Sequence, residues 1–298
     1  GNSRKPYKEF AETFKMSVNS IYKRIKSMVE LGVIENFNAR LSPINFPNYT
    51  NILMFGVSKT NDPKSLLEKI GEHVCIFNVT QASSNLFYIH AGIDNFNNLD
   101  PLVSFIRQIG QIDELTVGII SSPVQFNIED LGDITLTKLD YLIIYALKDN
   151  SRKTIADISI EVEVSTKTVR RHLNRLIEKN LVDLTINWYP HKTPEFLSFI
   201  RVYLDPTEKI DKFKHINDLR KEYGSKIIFA WTFGNLPNLI IICVWTRTMK
   251  ELQGKETNLM SKNFESIKVT VLLEGKMFPT WRDTYLEQKI KEINDSSV

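Results

Sequence analysis

Apolar residues recur at helical spacing at Leu139, Leu142, Ile143, Ala146 and Leu147, then again at Ile155, Ile158 and Val162. Such spacing marks helices with one buried face. Glu163-Val164-Ser165 interrupts the pattern, and a third stripe follows at Val169, Leu173 and Leu176. The pattern therefore predicts three helices, opening near Leu136, near Thr154 and just after Ser165, with a short turn between the last two. Ser165 stands where its hydroxyl can satisfy free N–H groups in the first turn of the third helix. Leu181, Val182 and Leu184 change to strand-like spacing and predict the strands of a wing.

The same pattern occurs earlier. Asn2-Ser3-Arg4-Lys5 recurs as Asn150-Ser151-Arg152-Lys153, and about 30 following residues align without a gap at an offset of 148. Phe10, Phe14 and Met16 fall on Ile158, Val162 and Val164. Ile21, Ile25 and Met28 fall on Val169, Leu173 and Leu176, and Ser17 falls on Ser165. A shared pattern of buried positions is the mark of an internal repeat. Ser17 is expected to cap a helix whose inward face is Ile21, Ile25 and Met28. The counterpart of Leu139 to Lys148 is absent before Asn2, so the first copy is expected to lack part of its core.

Downstream, each copy continues in one order. Ile52 to Val57 and Ile200 to Leu204 read as strands, followed by helical stretches Pro63 to Gly71 and Lys209 to Tyr223. Strand-like pairs come next, Cys75 to Thr80 with Leu86 to Ala91, and Ile227 to Phe233 with Leu239 to Val244. Second helices (Leu99 to Ile109; Met249 to Ser261) and last strands (Leu115 to Ile120; Ile267 to Leu273) close each unit. The order β-α-β-β-α-β is that of a ferredoxin-like fold, an antiparallel sheet covered by helices on one face. Its other face is left to pack on a second sheet, within or between chains.

The fold class is thus α+β, with two winged helix-turn-helix domains alternating with two ferredoxin-like βαββαβ domains. The expected boundaries are 1–48 for the first helix-turn-helix, 49–126 for the first sandwich and 127–134 for a polar, acidic linker. The second pair is expected at 135–195 and 196–275, and a C-terminal helix at 276–298, near Trp281 to Ile293.

Composition fits a folded, soluble chain: 42% hydrophobic and 24% charged residues over 298 positions. No apolar run approaches the roughly 20 residues a membrane helix needs, and no signal peptide precedes the first helical pattern, so the expectation is a cytoplasmic protein without a membrane partner. Cys75 and Cys243 each lie in an apolar run and read as buried thiols. Net charge is only +3, but residues 1–40 carry eight Lys/Arg against four Asp/Glu, whereas residues 50–131 carry four against nine. A basic end on an acidic body points to a local partner surface.

That surface is predicted on the capped helices. Lys167, Arg170, Arg171 and Asn174 fall opposite the inward face of the second copy, and Asn19, Ser20, Tyr22, Lys23 and Lys26 opposite that of the first. Long cations suit phosphates and guanine edges, and short polar residues near a helix N-terminus suit base edges in the major groove. With Ser17, Ser165 and Thr168 these residues form the candidate double-stranded DNA interface. Glu161 and Glu163 flank the second reader where the first has Lys15, so different sequence preferences and an asymmetric site are expected.

Ile155-Ala156-Asp157-Ile158, Val164-Ser165-Thr166-Lys167-Thr168-Val169-Arg170-Arg171 and Leu181-Val182 resemble the Lrp/AsnC (leucine-responsive/asparagine regulator) family, archaeal-type. So do Met16-Ser17-Val18 and Leu31-Gly32-Val33-Ile34. The resemblance implies transcription regulators that join a winged helix-turn-helix to a ferredoxin-like effector (RAM) domain and dimerise. Here one chain carries both copies, which implies an intrachain pseudo-dimer with the two sheets facing, or a homo-oligomer. It also implies a small amino-acid-like effector at the hairpin between the second and third strands. The Gly and Asp usual there are replaced by Ser84-Asn85 and by Pro237-Asn238, so the candidate effector residues are Ser84, Asn85, Asn235 and Asn238.

Enzyme signatures are lacking, and no cofactor or metal is expected. There is no glycine-rich phosphate loop, His-Glu-x-x-His or nucleophile elbow. Ser20-Ile21-Tyr22-Lys23 matches a Ser-x-x-Lys pattern, but it lies on the candidate reader helix and such short matches occur by chance. Asp94-Asn95-Phe96-Asn97-Asn98 reads as a helix-entry loop rather than a calcium loop. Two alternatives stand beside the regulator. Sirohaem decarboxylases resemble the family in fold and can be fused in pairs, but need His and Arg around a large apolar pocket; the five histidines here are scattered. The third reading is an interaction protein that has lost DNA.

Overall fold

The computed structural model describes residues 2–121, 135–207 and 211–296. In chain order, α1 (Tyr7–Phe14), α2 (Val18–Glu30) and β1 (Ile34–Leu41) come first. They lead to β2 (Thr50–Val57), α3 (Pro63–Gly71), β3 (Ile76–Ala82), β4 (Leu86–Ile93), α4 (Leu99–Gly110) and β5 (Thr116–Ile119). The second half repeats the order. It runs α5 (Lys138–Ala146), α6 (Ile155–Glu161), α7 (Thr166–Glu178) and β6 (Val182–Trp188). It continues with β7 (Phe196–Tyr203), α8 (Lys212–Tyr223), β8 (Ile227–Thr232), β9 (Leu239–Thr246), α9 (Met249–Met260) and β10 (Ser266–Met277), and ends in α10 (Trp281–Asp295).

These elements form two compact units that interleave along the sequence. One holds Gly1–Pro47, Phe126–Lys192 and Pro279–Val298; the other holds Asn48–Gln125 and Thr193–Phe278. Four successive bodies were expected from the sequence, and like segments are found gathered with like. The expected linker 127–134 lies outside the described residues, as does the Lys209 start expected for α8, which is capped instead by the Asp211 carboxylate on the Lys214 N–H.

In the first unit, the predicted wing is not a hairpin within either copy. Each copy supplies one strand, and β1 and β6 pair antiparallel with each other, Phe37 opposite Ile186 and Asn38 opposite Thr185. The reason lies in the chain path. After β1 a short 3-10 turn at Pro43–Asn45 leads away into β2, so no return strand follows and the edge is satisfied by the equivalent strand 148 residues on. A core of Ile143, Leu147, Ile158, Val169, Leu173 and Leu176 closes the second helix-turn-helix, with Leu286 and Ile290 of α10 against it. Helix α5 starts two residues later than Leu136: Thr137 caps it and exchanges hydrogen bonds with Asp140 in a capping box.

Backbone detail repeats as well. Lys15 and Glu163, the turn residues between the paired helices, both adopt a left-handed conformation (φ 52° and 55°). So do Gly32 and Asn180, just past α2 and α7 (φ 69° and 54°), where glycine and asparagine meet the least strain.

In the second unit, one eight-stranded sheet runs in the order β5-β2-β4-β3-β10-β7-β9-β8. Two separate sheets were expected. They merge because β10 outruns β7 and continues against β3, from Leu272 opposite Ala82 to Met277 opposite Asn78. The faces away from the helices meet within the chain. Tyr88 lies edge-on to Phe199 at 4.6 Å between centroids, and its hydroxyl is 2.9 Å from the Thr270 hydroxyl. A bridge between Ile120 and Phe233 brings the two outer edges together. Gly118 permits this, since a Cβ there would stand 2.4 Å from the Phe233 ring. Cys75 and Cys243 are buried and unpaired, and burial pushes the Cys75 thiol up to about 11.

Candidate nucleic-acid interface

Two helices with the same local design carry the predicted reader residues. The Ser17 hydroxyl accepts from the Ser20 N–H at 3.0 Å, and the Ser165 hydroxyl accepts from the Thr168 N–H at 3.2 Å. Each cap fixes the helix N-terminus after a left-handed turn residue, so α2 and α7 begin at equivalent places. Buried Val169, Leu173 and Leu176 turn the remaining face of α7 outward.

On that face Lys167, Arg170, Arg171 and Asn174 are exposed, and none of the three cations holds an ion pair among the described residues. Thr168 is half-buried, its hydroxyl 2.9 Å from that of Ser165. On α2, Asn19 and Lys23 are exposed and likewise unpaired. Lys26 is 3.7 Å from Glu30, an exposed pair one turn apart, which is worth only a few tenths of a kcal/mol, about 0.3–0.5. Tyr22 is not wholly free: its ring lies 6.0 Å from that of Tyr7. Long cations with no internal partner keep their charge available to an anionic ligand. Glu161, expected to repel phosphates, is held by Lys153; Glu163 is exposed.

The expected inward face of α2 is only partly covered. Ile21 is buried, but Ile25 and Met28 are half-buried, and among the described residues no counterpart of α5 lies over them.

Two groups escaped the sequence reading. The first joins the repeated Asn-Ser-Arg-Lys segments. Arg4 donates to the carbonyl oxygens of Ser151 and, at 2.8 Å, Lys153; Arg152 donates to those of Ser3 at 2.9 Å and Lys5 at 2.7 Å. The Ser3 and Ser151 hydroxyls meet at 2.5 Å. Burial, and then the Arg152 charge, lower the Arg4 pKa from its ordinary value. The second group is Asp140, fully buried, which pairs with His172 Nδ1 at 2.8 Å and with Arg175. The repeated motif was a signal for the first group; for the second there was only an aspartate inside an apolar stripe.

Two of the four hairpin residues have their side chains engaged elsewhere. The Asn85 amide donates to the Ser58 and Thr60 carbonyls, both at 2.9 Å. The Asn235 amide accepts from the Ile119 N–H and donates to the Val117 carbonyl, both at 2.8 Å. The Asn238 carbonyl accepts from Leu204 N–H, and Ser84 sits exposed in the left-handed region. The Asp94–Asn98 loop caps itself on the way into α4. Among the described residues no cluster of three or more His, Cys, Asp or Glu could hold a metal, and no helix is long and apolar enough to cross a membrane.

Residues 136–183 match a family model described as winged helix-turn-helix DNA-binding. The chain carries a winged helix-turn-helix. An HTH-type transcriptional regulator of Pyrococcus abyssi (strain GE5 / Orsay) is 28% identical over 116 residues, covering 38% of this chain and 75% of that protein. Among solved structures, the siroheme decarboxylase NirDL superposes with a TM-score of 0.60 at 9% identity, over 98% of this chain and 94% of its own. This likeness is one of fold: a mixed α+β chain joining helix-turn-helix elements to ferredoxin-like sheets. E. coli AsnC aligns at 21% identity over 47% of this chain and 93% of its own, with a TM-score of 0.36.

Proposed function

We propose that the chain is a sequence-specific DNA-binding transcription regulator of the Lrp/AsnC type, not an enzyme, in which a tandem duplication supplies both halves of a pseudo-dimer. The observation that carries this reading is the pair of identically capped helices whose outward cations, Lys23 on α2 and Lys167, Arg170 and Arg171 on α7, have no ion-pair partner among the described residues. Double-stranded DNA supplies the missing anions. Asn19, Ser20, Lys167 and Thr168, nearest the helix N-termini, face base edges; Lys23, Lys26, Arg170 and Arg171 reach phosphates or guanine edges. Because the two faces differ residue by residue, the operator is asymmetric.

The test is a double variant. Arg170→Ala with Arg171→Ala removes two exposed side chains and leaves the fold intact, and binding to a selected operator falls by at least about tenfold. An unchanged titration curve refutes the assignment of α7. No effector is assigned to the hairpins, where the Asn85 and Asn235 amides already hold backbone groups.

The fold likeness to NirDL over nearly the whole chain favours one rival, a tetrapyrrole enzyme. That rival predicts a shifted Soret band when sirohaem is added to the purified chain; the regulator reading predicts an unchanged spectrum.

A further inference from the structure

The eight-stranded sheet of the second unit carries positive charge that nothing among the described residues neutralises. Its strands include one acidic residue, Glu274, against Arg201, Lys268 and Lys276. Lys276 is paired with Glu68. Arg201 on β7 and Lys268 on β10 stand directly opposite one another in the antiparallel register. Like charges so placed repel and weaken a sheet. Neither has an ion pair or a hydrogen-bond partner among the described residues, and the Arg201 Nε is buried unpaired. Glu274 is six residues along β10 from Lys268, roughly 20 Å at the rise of a strand and too far to serve.

Aromatic rings surround the pair. Alternate positions of a strand share one face, so Phe199, Arg201 and Tyr203 lie together, and Tyr88 meets them from β4, 4.6 Å from Phe199. The Arg201 guanidinium sits 5.0 Å from the Phe55 ring, and the Lys268 ammonium 5.7 Å from the Tyr203 ring. Trp231 lies 5.2 Å from Phe199. His90, on the same face as Tyr88, is kept neutral by burial and supplies no counter-charge. Ring faces attract a cation but leave its charge in place.

We propose that Arg201 and Lys268 bind a small planar aromatic carboxylate, of one or two fused rings. Its carboxylate takes the planar donor fork of Arg201 and the point charge of Lys268. Its ring lies against the flanking aromatic side chains, where offset and edge-on contacts add to the burial of apolar surface. An inorganic anion satisfies the charge and leaves those ring faces unused. The contact between Tyr88 and Phe199 fills the same face nearby and limits the ligand to a small plane. The pair belongs to the other unit from α2 and α7, and the assignment does not depend on DNA binding.

The experiment titrates 2-naphthoate into the 298-residue chain by calorimetry, with 2-naphthamide and inorganic phosphate as controls. Saturable one-to-one binding is expected for the naphthoate, at least about tenfold tighter than for either control. Arg201→Gln weakens it about tenfold. Lys268→Gln, at an exposed position that the fold does not need, weakens it by a few-fold. As a second readout, saturating 2-naphthoate raises the denaturant midpoint of the parent chain and leaves that of Arg201→Gln unchanged. Absence of saturable naphthoate binding, or binding indifferent to both substitutions, overturns the proposal. Equal binding of the amide removes the role of the charge, and equal binding of phosphate removes that of the rings; either result overturns it too.

Discussion

The imidazole of His90 lies among aromatic rings, 5.5 Å from Phe77 and 5.3 Å from Trp231 between centroids, and its buried Nε2 has no hydrogen-bond partner among the described residues. Burial disfavours the charged form and lowers its pKa to about 4. The unfolded chain, with an ordinary histidine near 6.5, therefore takes up a proton that the folded chain refuses. Stability from this group is complete above pH 6.5 and is lost as pH falls toward 4, at most roughly 3 kcal/mol. Urea titrations between pH 7 and 4 are expected to show that loss, and His90→Phe flattens it. An equal slope in the variant assigns the acid sensitivity to other groups. Nothing in the sequence marked His90 out: it is one histidine in an apolar strand, and its neighbours Phe77 and Trp231 come from other strands. Ser17 and Ser165 were legible because a cap acts on its own helix three residues away, and that distance is written in the sequence.

At the scale of elements, Asp140 decides how α5 is held. It is fully buried, completes the capping box at Thr137 and joins α5 to α7 through His172 and Arg175. Removing one partner of such a group leaves buried polar atoms unpaired. Asp140→Ala is expected to destabilise the unit by about 3 kcal/mol, read as a lower denaturant midpoint. A change below about 0.5 kcal/mol, the size typical of surface substitutions, refutes the role. Helices and strands were legible as types from apolar spacing, and errors gathered where partners are distant in sequence. The wing was misread because β1 and β6 lie 148 residues apart. The sheet was read as two because the length of β10 shows only once β3 stands beside its second half. Local spacing specifies an element; the chain segment that satisfies its edge is set by tertiary packing.

For the whole molecule, the reciprocal bonds of Arg4 and Arg152 tie one helix-turn-helix to the other within their unit. Symmetric readers place half-sites at a fixed separation, so the tie is expected to set operator spacing. Arg4→Ala with Arg152→Ala should keep DNA affinity within a few-fold while broadening the accepted spacing, measured by selection from a library of spaced half-sites. Retention of one sharp spacing counts against the tie. The repeated Asn-Ser-Arg-Lys was plain in the sequence, but its reciprocity was not, since a motif does not say that its two copies touch.

The central claim is that the outward cations of α2 and α7 meet DNA phosphates, and salt dependence tests it most directly. Binding of the purified chain to a DNA fragment selected from a random pool is measured from 50 to 300 mM salt. Neutralising four or more phosphates predicts a log–log slope of roughly −4 or steeper. A flat line, or no fragment retained at the lowest salt, contradicts the account.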